Sequence, residues 1–202
     1  QMGLLPDGDT QIGTAGADVV ETGISLGEAI RTRQFWTICF TNLTVVFCLM
    51  VIMLHTTPHA MDIGIPATTA AGLISTIAGA SVIGRLTIGF IADRAGYRNC
   101  MICCILVLIS AFLWLQVADE LWMLYLFALF YGVGHGGHFT LISPLVAEHF
   151  GIRSHGVLFG IVLFAGTFGG AVGPILAGHL FDITGSYSTA FWICAAVGSV
   201  GL

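Results

Sequence analysis

Six apolar stretches follow one another along this chain, over residues 35–54, 67–92, 99–116, 121–145, 156–180 and 188–202, with short polar breaks between them. About 20 residues of α-helix cross about 30 Å of hydrocarbon. The first five stretches reach or nearly reach that length, and the sixth falls short of it. Only 8% of residues are charged and 56% are hydrophobic, whereas a soluble domain carries about 25% charge. A chain of this composition cannot cover a surface facing water. Inside a bilayer the backbone must satisfy its own hydrogen bonds, which a helix does within one segment. The pattern therefore predicts an all-α integral membrane protein, a bundle of six helices over residues 35–202.

The region before the first stretch is different. Residues 1–24 are rich in Gly, Thr, Asp and Glu without periodicity, and read as a flexible linker. "SLGE", Ser25 to Glu28, is a capping-box pattern. It predicts a short amphipathic helix over residues 25–34, lying at the membrane surface on its arginines and its Phe35–Trp36 pair. The start lacks a basic n-region and an apolar h-region, so it does not read as a signal peptide. Position 1 is not Met, and the chain stops inside an apolar run; both ends read as cuts through a longer protein. The six cysteines lie in or beside apolar runs, which argues against a disulfide framework. "CMICC" holds a C-x-x-C spacing but no second ligand pair. Small packing residues are the simpler reading, with acylation beside the membrane as the alternative.

Charge sets the topology. There is no lysine, and the six arginines are Arg31, Arg33, Arg85, Arg94, Arg98 and Arg153. Apart from Arg85, all fall before the first helix or in the second and fourth connections, on one side of the bilayer. The opposite connections carry Asp62, Asp119, Glu120 and Asp182 and no arginine. The positive-inside rule makes the arginine side, and with it the linker, cytoplasmic. The expected location is the plasma membrane, or the inner membrane of a bacterium. No basic patch points to nucleic acid.

Arg85 is the exception to this sorting. It lies eight residues before Asp93, hence about 12 Å into the membrane. An arginine near the bilayer centre costs roughly 2.5–3.5 kcal/mol on insertion scales. That cost selects for a cavity, a partner or snorkelling. A guanidinium fork matches a carboxylate, so Arg85 is either an anchor for an organic anion or a neighbour of the polar turn at Asp93. In the fourth stretch, His135 and His138 lie about 15 Å and 10 Å from residue 145 along a helix. His135 is thus near the depth of Arg85. It could relay a proton or bond a substrate oxygen, or it could pack as a neutral ring. "HGGH" lacks a third ligand, so no metal is expected, and nothing calls for a cofactor. Thr41, Asn42, Thr44, Ser75, Thr76 and Thr167 make their helices polar near the midplane. Each either bonds locally or lines a cavity. His55 and His59 flank "TTP" and are expected in water. The glycines of "YGVGHGG" and "FGIVLFAGTFGGAVGP" should let helices approach closely, and Pro174 should bend its helix.

"GRLTIGFIADRAGYR" resembles the G-R-L-x-x-G-x-x-x-D-R-x-G-x-R signature of the major facilitator superfamily, in the copy joining the eighth and ninth helices. "SLGEAIRTRQFW" is similar to the lead-in to the seventh helix. "LVAEHFGIRSHGVLFG" resembles the loop joining the tenth and eleventh, and "GHLFDITGSYSTAFW" the lead-in to the twelfth. The resemblance covers residues 25–202 and implies the C-terminal half of a twelve-helix secondary transporter, whose N-terminal half-bundle would be its partner. Within the superfamily the chain most resembles the monocarboxylate and oxalate–formate porter group. Relatives there often hold an acid one turn before the arginine, where this chain has Ser81. Oxalate carriers hold a lysine in the eleventh helix, and its absence argues against a dianion. The resemblance assigns Gly84, Gly89, Asp93, Arg94, Gly96 and Arg98 to the inner gate, with Asp93 contacting the other half. The candidate substrate set, grouped by depth with the resemblance tipping Arg85 towards substrate, is Arg85, His135, His138, Asn42, Ser81 and Thr167.

These readings converge on a secondary transporter that moves a small organic anion, a monocarboxylate, by alternating access, with possible proton coupling. An intramembrane enzyme would need a nucleophile with its base, or three metal ligands, at one depth. The sequence offers neither, and no catalytic residue is expected. A non-transporting sensor that kept the fold stays open as the third reading.

Overall fold

The computed structural model describes residues 23–201. The linker expected over residues 1–24 therefore lies outside the described residues, apart from Gly23 and Ile24. Ser25 and Glu28 cap each other: the Glu28 N–H donates to the Ser25 hydroxyl at 3.4 Å, and the Ser25 N–H donates to the Glu28 carboxylate at 2.7 Å. Those hydrogen bonds from Ser25 hold the exposed Glu28 carboxyl below its ordinary pKa. The helix they start, α1 (Leu26–Ala29), lasts one turn. A helix over residues 25–34 is thus corrected to two pieces. Thr32 breaks it, because its hydroxyl accepts the Phe35 N–H at 3.3 Å and starts α2 afresh. The Trp36 indole N–H donates to the Ile30 carbonyl at 2.8 Å and satisfies the break.

The long helices follow as α2 (Arg33–Asp62), α3 (Ala67–Ala95), α4 (Tyr97–Leu115), α5 (Leu121–Phe150), α6 (His155–Thr184) and α7 (Ser188–Val200). Glycines end three of them: Gly96 after α3, Gly151 after α5 and Gly185 after α6 have φ of 86°, 75° and 68°, a region that other residues avoid. Among the described residues α2, α3, α4 and α6 are long and apolar enough to cross a membrane. α5 matches them in length at 30 residues. Its middle, however, carries His135, His138 and four glycines, which lower its apolarity. α7 has 13 described residues, too few to cross alone.

Several helices outrun their sequence-based limits. α2 continues through Pro58 to Asp62, which corrects the view of His55 and His59 as solvated. The His59 ring packs edge-on against Phe191 at 5.1 Å, and His55 Nε2 lies 3.2 Å from the Pro174 carbonyl oxygen. α6 runs unbroken through Pro174.

Two close, parallel pairs organise the bundle, α3 with α5 and α2 with α6. Glycine sets both distances. A Cβ on Gly132 would stand 2.6 Å from the Ile77 carbonyl oxygen, and one on Gly173 would stand 2.6 Å from that of Phe47. Gly136 abuts the Ser81 carbonyl and Gly169 the Leu43 carbonyl even more closely. α4 packs on the outside of α5, and α7 lies against α4 and α2. One apolar core gathers around Phe112, Phe127 and Phe191 towards the acidic connections, another around Phe35, Ile142 and Phe150 towards the arginines. Leu86, Phe164 and Ile175 stand out from the bundle, each more than two-thirds exposed. Such a surface suits lipid or another apolar bundle.

At the arginine end, Gly23 bridges Gly151, and the Ile24 N–H donates to the Phe150 carbonyl at 3.0 Å. The start of the described chain is thus tied to the α5–α6 connection.

Because α3 meets α5 at backbone distance, Gly136→Val should overpack the pair and cost about 1–3 kcal/mol. Thermal unfolding of the full-length protein in detergent should show a melting point lower by several degrees. Gly160→Val, where a Cβ meets nothing within 4 Å, should leave it unchanged.

Candidate functional site

Arg85 sits on the exposed face of α3 between Val82 and Leu86, and Gly84 beside it faces α5. A side chain on Gly84 would collide with Val133. Ser81 abuts Gly136, and a Cβ on Gly89 would meet the Thr140 side chain at 3.3 Å. The two parallel helices are therefore in register around Arg85, and His135 lies within about one turn of it.

His135 is 7% exposed, and among the described residues neither ring nitrogen has a hydrogen-bond partner. Its ring lies parallel to Tyr131, 6.2 Å away, and edge-on to Phe139 at 4.9 Å. Phe127 stacks on Tyr131 at 5.3 Å. Residues 127, 131, 135 and 139 repeat every four positions, so one stripe of α5 is an aromatic column with an imidazole in it. An unpaired buried imidazole is costly unless a ligand or water meets it.

His138, three residues on, points elsewhere. It is fully buried, with Nε2 3.3 Å from the Asn42 Oδ1 and Nδ1 3.2 Å from the Met101 sulfur. The Asn42 amide N–H donates to the Val162 carbonyl at 2.8 Å. The "HGGH" pair thus serves two different places. Ser81 is buried against Gly136, and the exposed Thr167 donates to the Phe164 carbonyl of its own helix at 2.7 Å. Of the six candidate substrate residues, only Arg85, His135 and Ser81 cluster together. Asn42 and His138 form a separate cluster, and Thr167 stands alone on α6.

A cavity of ≈ 480 Å³ at the arginine end is lined by Arg33, Arg98, His149, Asn42 and His138 and bounded by Gly201, the last described residue. No residue of α3 or α6 lines it, and neither Arg85 nor His135 does. The polar groups of Asn42 are already bonded to protein, which leaves little deep in this cavity to orient a solute.

The turn after α3 is exposed. The Tyr97 hydroxyl donates to the Asp93 carboxylate at 3.1 Å, and the Arg94 guanidinium covers the Phe90 ring at 4.0 Å. Arg98 is exposed at the start of α4. At the opposite end, Asp62 closes α2, and Asp119 lies just before α5. Arg94 and Arg98 thus lie at one end of the bundle, with Asp93 among them, and Asp62 and Asp119 lie at the other. Sequence reasoning missed Met101 and Val162, whose types carry no signal. The four-residue spacing of the aromatic column was there to be read.

These features define a class, an all-α membrane bundle of six long helices. The E. coli fucose:proton symporter has the same fold, with a TM-score of 0.74 over 87% of this chain and 43% of that one, at 19% identity. Residues 35–202 match the model of the Major Facilitator Superfamily, and the chain belongs to that superfamily. It is 36% identical to human monocarboxylate transporter 7 over 148 residues, and 31% identical to human monocarboxylate transporter 12 over 147. Each match covers 71% of this chain and 28% of the relative. The chain thus spans under a third of the length of these curated relatives.

In a full-length protein stripped of native cysteines, Arg85→Cys should react with a water-soluble maleimide and His138→Cys should not. An unreactive residue 85 would place that face of α3 in lipid.

Proposed function

We propose that the chain is the C-terminal half of a secondary transporter that moves a small monocarboxylate by alternating access. Arg85 binds the carboxylate with its guanidinium fork, and His135 orients the anion or carries a coupled proton. One observation carries this reading: a guanidinium on the exposed face of α3, at membrane depth, beside an imidazole with two unpartnered nitrogens. The adjoining turns of α3 offer no acid to neutralise Arg85, since Ser81 stands one turn before it and Gly89 one turn after. A cation kept at that cost awaits an anion. The names of the two human relatives support the same solute class.

The other wall of the site is the N-terminal half-bundle, against which this half would rock. The arginine end faces the cytoplasm of a plasma membrane, with the linker on that side. Asp93, Arg94 and Arg98, at the tip of α3 and the start of α4, serve the inner gate. Gly84 and Gly89 hold α3 against α5 behind it.

Uptake of radiolabelled L-lactate and pyruvate by the full-length protein in proteoliposomes tests the reading. Arg85→Ala should lower kcat/KM at least tenfold, and Arg85→Lys should recover only part, because an ammonium keeps the charge without the fork. Wild-type uptake by both variants rejects Arg85 as the anchor. His135→Gln should keep exchange of labelled for unlabelled solute and lose accumulation driven by a proton gradient. Loss of both leaves the orienting role alone.

A further inference from the structure

The buried bond between His138 and Asn42 lies within about one turn of the proposed site, on a face of α5 about 60° around from His135. Its geometry fixes its chemistry. The Asn42 Nδ2–H donates to the Val162 carbonyl, which turns Oδ1 towards His138. Oδ1 only accepts, so His138 Nε2 carries the proton and donates, and Nδ1 presents its lone pair towards Met101. Four helices meet here: α2 through Asn42, α5 through His138, α6 through Val162 and α4 through Met101. Asn42 is 2% exposed and His138 is fully buried. Gly166 leaves room for the amide, since a side chain there would collide with Asn42.

The position of this bond gives it leverage. α3 and α5 are locked together by the Gly132, Gly136 and Gly84 contacts, and α2 and α6 by those of Gly169 and Gly173. Each pair is therefore seated at backbone distance along its length. Between the pairs, His138 to Asn42 is a direct side-chain hydrogen bond, and Asn42 passes it on to the backbone of α6.

We propose that His138 and Asn42 are positioning residues, a pin that fixes the α3–α5 pair against the α2–α6 pair and so sets where Arg85 and His135 stand relative to α2 and α6. The inference rests on the transport reading for its functional consequence, though not for the pin itself. Neither side chain touches the solute.

The test uses the full-length protein, with L-lactate and pyruvate uptake in proteoliposomes and thermal unfolding in detergent measured on the same variants. Asn42→Ala and His138→Ala should each raise KM about fivefold or more, by freeing a buried polar group and loosening the site. Both solutes should be affected alike. The double variant should be no worse than the poorer single one, and His138→Gln, whose amide can still donate to Asn42, should recover most of the loss. The melting temperatures should be non-additive in the same way. Effects that multiply in the double variant, a changed ratio of lactate to pyruvate, or a Gln variant as poor as the Ala variant would overturn the pin. Coupled melting temperatures in a protein that takes up neither solute would support the pin and reject the transport reading.

Discussion

In a bilayer, apolar side chains gain nothing by leaving lipid for another helix, so helices must hold together by contact at backbone distance. Here that contact is made by glycine. The carbonyls of Ile77 and Ser81 lie against Gly132 and Gly136, and those of Leu43 and Phe47 against Gly169 and Gly173. Everything else follows from these two seams. They make two parallel pairs out of four helices and fix the register of α3 on α5. That register brings an arginine from one helix near a histidine of the other, without a bond between them.

The seams also explain why two histidines three residues apart behave so differently. His135 continues the aromatic column of Phe127 and Tyr131 and keeps both nitrogens free. His138 is turned about 60° further around a helix of 3.6 residues per turn. It reaches α2, where the Asn42 amide oxygen accepts its Nε2–H, and its other nitrogen packs against the Met101 thioether of α4. The same residue type is open to a ligand in one place and used up by the fold in the other.

Much of the fold was legible because lipid leaves few choices. Apolar length, the sorting of Arg31, Arg33, Arg94, Arg98 and Arg153 against Asp62, Asp119, Glu120 and Asp182, and the glycine clusters each follow from bilayer physics. Helix ends were less legible. Pro58 did not stop α2, and Thr32 stopped the surface helix after one turn, since a cap formed with the next helix outweighed continuation. The candidate site was legible in part. Depth along a helix can be counted, which put His135 near Arg85. Rotation about the helix decides partners, and it depends on neighbours that no local pattern names. Asn42 and His138 were therefore grouped with Arg85 by depth, and the structure separates them by direction.

The central claim is that the guanidinium of Arg85 meets a carboxylate in an aqueous cavity between two half-bundles. A cryo-electron-microscopy structure of the full-length protein with bound pyruvate tests it most directly. The account predicts the carboxylate oxygens within hydrogen-bond distance of Arg85, beside the His135 ring, with the Asn42–His138 bond intact. Pyruvate bound against Asn42 and His138, with Arg85 pointing into lipid, would contradict it.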